Sequence, residues 1–307
     1  MKPMHTATAD AIKHWKDKRN AIILAHYYQY PEIQDIADFV GDSLELARTA
    51  RDTQADVIVF CGVKFMAETA KMLNPNKTVL LPVADAGCPM ADMITAQDIL
   101  QLRAAHPQAA VMCYVNSNAD VKAVSDICCT SANALRIAKS LPEKEIIFVP
   151  DQGLGGYIAR ALPEKQFILA QGYCPVHWHI TAQDVIAFRE AHPHAPVLIH
   201  PECNENVLAL ADFVGSTSQI IRKAQESPSE EFLIITEAGV LHQLGKLCPQ
   251  KRFFSLDGGK ALCPDMKKTQ LADVLAALAN LQHDITVDAE LAKKALPSLE
   301  RMFAVPA

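Results

Sequence analysis

The sequence has no apolar run of membrane-spanning length, no apolar core behind its first residues, and no two cysteines in C-x2-C spacing. The first absence excludes a transmembrane helix, which needs about 20 apolar residues. From the second, no secretory signal is expected. "MKPMHTATADAIKHWKDKRN" reads instead as a polar helix, and the chain is expected to be cytoplasmic. Basic charge is also scarce: 29 Lys and Arg stand against 35 Asp and Glu, a net charge of −6. A nucleic-acid partner is therefore not expected, because its electrostatic footprint is missing. What is present is a 307-residue chain, half hydrophobic and 21% charged, large enough for two or three well-buried cores. Nine cysteines in a reducing compartment point to metal ligands, catalysis or plain buried thiols rather than to disulfides.

Three of those cysteines precede proline in similar surroundings. "DAGCPMADMITAQDIL", "QGYCPVHWHITAQDVI" and "GKALCPDMKK" place Cys88, Cys174 and Cys263 86 and then 89 residues apart. The same period runs through the rest of the chain. Aligned on Asp38, Asp126 and Asp212, the residue twelve positions earlier is His26, Tyr114 or His200; ten earlier it is Tyr28, Asn116 or Glu202; five later it is Ser43, Ser131 or Thr217. A Pro-x-Lys ending at Lys77, Lys165 or Lys251 precedes each Cys-Pro. A period this long marks repeated domains rather than solenoid turns. The expected division is an N-terminal helix over 1–20, α/β repeats over 21–108, 109–194 and 195–282, and a helical extension over 283–307.

Each unit alternates strand-length apolar runs with helical patterns. "AIILAH", "ADVIVFCG" and "TVLLPV" read as the strands of the first, "AAVMCYV", "EIIFVP" and "QFILAQ" as those of the second, and "PVLIHP", "FLIITE" and "RFFSL" as those of the third. "PEIQDIADFV" reads as helix. Continuous apolar strands suit parallel sheets covered on both faces. The fold class predicted is α/β: three homologous three-layer α/β/α sandwich domains with short parallel sheets, related by pseudo-threefold symmetry.

In such sheets ligands bind beyond the carboxyl ends of the strands. If those ends meet on the axis, the three Cys-Pro thiols converge. Zinc and iron–sulfur clusters both accept such a set. The other six cysteines, Cys61, Cys113, Cys128, Cys129, Cys203 and Cys248, read as small buried hydrophobes, and Cys248-Pro249 shares the dipeptide without a counterpart in the other units. Ser43, Ser131 and Thr217 stand where one helical run breaks and the next begins, at N-cap or anion-binding positions. A structural role tends to keep one residue type in all three copies, whereas Tyr28, Asn116 and Glu202 differ in chemistry, as do His26, Tyr114 and His200. An asymmetric ligand touched from three sides would produce that pattern. His177, three residues after Cys174, has no equivalent: Ala91 and Met266 stand in its place.

The segments "AHYYQYPEIQDIADFVGDSLELAR", "FCGVKFMAETAKML", "ADAGCPMADM", "YVNSNADVKAVSDICCTSANA", "GYCPVHWHITAQDV", "HPECNENV" and "GSTSQI" resemble the quinolinate synthase family, iron–sulfur enzymes of NAD biosynthesis. The resemblance implies one [4Fe–4S] cluster, bound by Cys88, Cys174 and Cys263 and keeping one open iron as a Lewis acid. It implies a transferase-type condensation of iminoaspartate with dihydroxyacetone phosphate to quinolinate, phosphate and water, with an aspartate oxidase supplying the iminoaspartate. Carried onto this sequence, it assigns Tyr28, Glu202 and His200 to catalysis. His26, Ser43, Tyr114, Asn116, Ser131, His177, His200, Glu202 and Thr217 would line the substrate site. The chain departs from the family's D-x-N-L-G at "DQGLG", where Gly153 takes the Asn place, and no role is assigned there.

Overall fold

A computed structural model describes residues 3–256 and 259–305; the outermost residues of the expected first and last segments, 1–2 and 306–307, lie outside these. Among the described residues, twelve strands form three four-stranded sheets. The first holds β1 (Ala21–His26), β2 (Phe39–Gly41), β3 (Val57–Cys61) and β4 (Thr78–Leu80) in the order β2-β1-β3-β4. The second holds β5 (Ala110–Tyr114), β6 (Ile127–Cys129), β7 (Glu145–Val149) and β8 (Gln166–Leu169) in the order β6-β5-β7-β8. The third holds β9 (Val197–Ile199), β10 (Phe213–Val214), β11 (Glu231–Ile235) and β12 (Arg252–Phe254) in the order β10-β9-β11-β12. Every pairing within them is parallel. One topology used three times is the pseudo-threefold α/β architecture read from the repeat.

The sheets have one strand more than the apolar runs suggest. The segment 31–40 is helical only over Pro31–Ile36 and then becomes β2. The cause is the residue on which the repeats align. The Asp38 carboxylate accepts the Ile23 N–H at 2.8 Å while its own N–H donates to the Ile23 carbonyl at 2.9 Å, gripping β1 at both backbone groups. Asp126 does the same to Val111 at 2.7 and 3.0 Å, and Asp212 to Val197 at 2.8 and 2.9 Å. The short edge strands follow directly, and two or three residues carry too little periodicity to be seen in sequence.

Other threefold matches also serve the scaffold. Lys77, Lys165 and Lys251 each donate Nζ to carbonyls at the end of a preceding helix, at Thr53, at Leu141 and Glu143, and at Ala224 and Ser227 respectively. That satisfies acceptors that a helix end leaves free and suits its negative pole. "ITAQD" is a capping box twice over, with Thr95 and Asp98, then Thr181 and Asp184, closing the first turns of helices Ala96–Ala105 and Ala182–Ala191.

Alternation along the strands builds the layers. Ile23, Ala25, Val57 and Val59 pack on one side with Ile12 and with Val274, Ala277 and Leu278 of helix Leu271–Asn280, while Leu24, Ile58 and Phe60 enter the large core of the first two units. The stretch 271–280, grouped by sequence with the third unit, thus packs on the first sheet. In the third sheet Val197, Ile199, Leu233 and Ile235 face one cluster and Leu198, Phe232 and Ile234 the other. Burying each such side chain contributes roughly 1.5–3 kcal/mol. Helix Ala289–Ala304 sends Ala295, Leu299 and Met302 into the main core beside Val121 and Ile127. No helix among the described residues is long and apolar enough to cross a membrane.

Candidate active site

All thirteen candidate site residues line one cavity, where their polar groups converge as in a small-molecule site. Among the described residues no lysine or arginine lines it, so a bound anion would be met by backbone N–H groups, hydroxyls and imidazoles.

His26 ends β1, Tyr114 ends β5 and His200 follows β9. The two histidines repeat one arrangement. His26 Nδ1 accepts the Tyr28 N–H at 3.1 Å, and His200 Nδ1 accepts the Glu202 N–H at 3.4 Å. Each neutral ring therefore carries its proton on Nε2; that of His200 donates to Ser131 Oγ at 3.2 Å. Burial pushes both pKa values down to about 3, aided at His26 by His200 and Lys267, and outweighing at His200 the pull of Glu202.

The asymmetric set sits one step further along. Glu202, 3% exposed, accepts the Tyr114 hydroxyl at 2.6 Å and lies 2.8 Å from His177 Nδ1. Burial raises its pKa, but His200 and His177, with the hydrogen bonds from His177 and Tyr114, hold the carboxyl well below the usual range. Tyr28 Oη meets Thr217 Oγ1 at 2.9 Å and Thr236 Oγ1 at 2.7 Å. Hence the tyrosine hydrogen-bonded to Glu202 is Tyr114, not Tyr28. Burial, with Glu202 next, pushes both phenols well above their ordinary value. Asn116 Oδ1 is buried with no hydrogen-bond partner among the described residues, an acceptor free for a ligand.

Two of the three hydroxyl positions start helices, one residue past the cap. Asp42 caps helix Ser43–Asp52 and Ser216 caps helix Thr217–Glu226. Capping therefore does not consume the hydroxyl of Ser43 or Thr217, which stand at first-turn positions facing the cavity. Ser131 lies in the loop ahead of helix Ala134–Ser140.

Cys88, Cys174 and Cys263 are the half-buried cysteines; the other six are buried. Their shared dipeptide has a local explanation. Cys174 is the N-cap of Pro175–Trp178, with proline at the first position, where a missing N–H costs nothing. Backbone N–H groups two or three residues on then turn towards sulfur: those of Met90 and Ala91 to Cys88, of His177 to Cys174, and of Asp265 and Met266 to Cys263. Burial nonetheless pushes Cys88 up to about 12, Cys263 up to about 11 and Cys174 well above its ordinary value; Cys88 is raised further by Cys263, and Cys174 by Glu202 and then Cys88.

The sequence profile described as "Quinolinate synthetase A protein" matches residues 10–304. The chain belongs to this family. It is 57% identical over 290 residues to the quinolinate synthase of Methanoregula boonei, spanning 94% of this chain and 95% of that protein. It is 52% identical over 300 residues to that of Alkaliphilus metalliredigens (98% and 99%), and 50% identical over 291 residues to that of Clostridioides difficile (95% and 95%).

The cluster that the quinolinate synthetase A resemblance implies fits the donor set. Burial raises the pKa of all three thiols, with a neighbouring thiol adding to it at Cys88 and Cys174, a cost that cationic iron would reverse, and each already receives N–H donors that favour thiolate. A competing arrangement uses Cys174, His177 and Glu202, whose ligand atoms lie within 4.8 Å of one another and would suit a single cation.

Three residues of this quinolinate synthetase A chain escape the sequence reading. Glu237, fully buried, lines the cavity, accepts the Cys263 and Gly239 N–H groups and pairs with Lys267 at 2.9 Å. Lys267 also donates to the Tyr28 carbonyl, so the pair joins the Cys263 loop to the Tyr28 turn. Thr236, also fully buried, bridges Tyr28 and His177 Nε2, the latter at 3.0 Å. The signal for Glu237 is repeat asymmetry: two residues beyond β3, β7 and β11 stand Val63, Asp151 and Glu237. Asp151 is also fully buried. Burial and then Glu202 push its carboxyl well up, and its Oδ2 has no partner among the described residues. At Gly153 a Cβ would meet the Glu202 carbonyl oxygen at 2.5 Å, so glycine lets this chain's Glu202 loop pack closer than a side chain would allow.

Proposed function

We propose that this chain is a cytoplasmic quinolinate synthase that condenses iminoaspartate, delivered by an aspartate oxidase, with dihydroxyacetone phosphate to give quinolinate, phosphate and water. The observation that carries the reading is the convergence of three half-buried cysteines and a chemically asymmetric polar ring, from all three repeats, on one cavity. The reading keeps the repeats at 21–108, 109–194 and 195–282, with 1–20 and 283–307 as flanking helical segments.

Cys88, Cys174 and Cys263 would hold the [4Fe–4S] cluster, which when bound supplies an iron without a protein ligand as a Lewis acid. The substrates carry two carboxylates and a phosphate. The first turns at Ser43 and Thr217, the Ser131 hydroxyl and the protonated Nε2 atoms of His26 and His200 are donors for those groups. Asn116 Oδ1 would accept from the imine or amine nitrogen and orient it. Each loss of water needs a base at a carbon-bound proton and an acid at the leaving oxygen. Glu202, bonded to Tyr114 and His177 at the centre of the ring, is the carboxylate placed to take up a proton, with Tyr28 the second proton-transfer group and His200 fixing the Glu202 turn through its backbone bond.

The test is anaerobic purification with iron and sulfide counting, followed by titration with quinolinate. The protein should be brown, hold about four irons and four sulfides per chain, and change its visible spectrum as the dicarboxylate binds. A colourless zinc protein of full activity would overturn the assignment. Ser43→Ala should raise KM about fivefold with kcat unchanged, the effect of losing one ground-state hydrogen bond of about 1 kcal/mol; steady-state kinetics decides, and a fall in kcat instead would move Ser43 into the chemistry.

A further inference from the structure

The residues just ahead of Ser43, Ser131 and Thr217 share one local bond in all three units. Asp42, Thr130 and Ser216 each donate their backbone N–H to the side chain three residues on: Glu45 at 2.9 Å, Asn133 at 2.7 Å and Gln219 at 2.9 Å. The copies agree in this turn and differ in what their remaining side-chain atoms reach.

Two of those atoms tie one unit to another. Asp42 Oδ1 caps its own helix, accepting the Leu44 and Glu45 N–H groups at 3.0 and 3.1 Å, while Oδ2 accepts the Ser218 hydroxyl of the third unit at 2.6 Å. Gln219 Oε1 is taken by the Ser216 N–H, and its Nε2 donates to the Ala132 carbonyl of the second unit at 3.3 Å. Ser216, fully buried, accepts the Gln219 N–H on Oγ at 3.3 Å and meets Ser218 Oγ at 3.2 Å. Because Ser218 gives its one proton to the Asp42 carboxylate, Ser216 is the donor of that pair. Leu44 and Ala132 hold the positions equivalent to Ser218 and have no hydroxyl, so the link is peculiar to the third unit.

One turn of chain thus carries four tasks. Ser216 caps helix Thr217–Glu226, Thr217 faces the cavity, Ser218 holds the start of helix Ser43–Asp52, and Gln219 holds the loop beside Ser131. Three anion-binding positions discriminate between ligands through their separation as well as their chemistry.

We propose that Ser218 and Gln219 are positioning residues that fix the separation of Ser43, Ser131 and Thr217, and so make the site selective for carboxylates on adjacent carbons, as in quinolinate, over wider-set pairs. This rests on the reading that those three positions receive the ligand's anionic groups. Neither side chain lines the cavity; each acts through the cap or backbone of a neighbouring unit.

The test is calorimetric titration of the iron-loaded protein with quinolinate and with its isomers lutidinate and isocinchomeronate. Both isomers keep the ring nitrogen and the carboxylate beside it, and carry the second carboxylate one or two ring positions further away. The parent should prefer quinolinate. Ser218→Ala should narrow that preference about tenfold by weakening quinolinate alone, the low end of what a hydrogen bond to a charged acceptor is worth. Gln219→Glu keeps an acceptor for the Ser216 N–H and loses only the donor to Ala132; it should narrow the preference similarly. KM should rise in both variants with kcat nearly unchanged, and Ser218→Thr, which retains the hydroxyl, should restore the parental ratio. A parent without the preference, an unchanged ratio in Ser218→Ala or Gln219→Glu, equal weakening of all three ligands, or a Thr variant as poor as the Ala variant would each overturn the proposal. Parental quinolinate affinity in Ser43→Ala would show instead that the helix starts hold no anion, overturning that reading and this proposal together.

Discussion

Single replacement of Cys88, Cys174 or Cys263 by Ala should abolish bound iron and sulfide, the brown colour and all measurable turnover. Each sulfur sits at the start of its own Cys-Pro turn, in the loop after the last strand of its own unit, so no neighbouring residue substitutes for it. The effect is close to all-or-none because a cluster already lacking a protein ligand on one iron would then lack two. Cys248→Ala is the matched control. It shares the Cys-Pro dipeptide but is buried at the end of helix Val240–Leu247, away from the cavity lining; trimming it should cost about 1 kcal/mol of stability and leave the iron in place. The set also decides between the two donor groups. A single cation on Cys174, His177 and Glu202 would survive Cys88→Ala and Cys263→Ala and be lost only with Cys174. Full cluster content in any of the three ligand variants would overturn the assignment, and metal counting alongside visible spectra reads every case.

Much of this was legible because the chain is written three times. Where the copies agree, the residue holds the scaffold: Asp38, Asp126 and Asp212 grip the first strand of their unit, and Lys77, Lys165 and Lys251 close helix ends. Where the copies differ, at Tyr28, Asn116 and Glu202, the side chain faces the cavity. Glu237 obeys the same rule through Val63 and Asp151, but it lies inside an apolar strand end that reads as core. Other features were out of reach for physical reasons. β2, β6 and β10 are set by an aspartate's hydrogen bonds rather than by hydrophobic period. The pairing of Glu202 with Tyr114, and of Lys267 with the Tyr28 carbonyl, depends on how one unit sits against another, which no local pattern encodes. The capping at Asp42 and Ser216, one residue ahead of Ser43 and Thr217, needs backbone angles to be seen.

Glu202→Gln should lower turnover about 10²–10⁴-fold, the range that a general acid–base group supplies, while iron content stays at the parental level and quinolinate binding weakens only modestly. Glutamine matches the shape of the carboxylate and keeps one acceptor, so the fold and the Tyr114 contact can persist. It cannot take up a proton. Its NH2 group would face either His177 Nδ1, which must then give up its proton, or the Tyr114 oxygen, which must then turn its own proton elsewhere. Either way the proton positions at the centre of the site change while the packing does not. Tyr28→Phe should lower kcat by a comparable factor without this rearrangement at Tyr114, because Tyr28 is bonded to Thr217 and Thr236 instead. The comparison separates proton transfer from binding: kcat should fall in both variants, and the Kd for quinolinate should move less than about tenfold in either. If Glu202→Gln turned over at the parental rate with full iron, Glu202 would leave the mechanism. The three-sided polar ring would then be read as a binding surface whose chemistry is carried elsewhere.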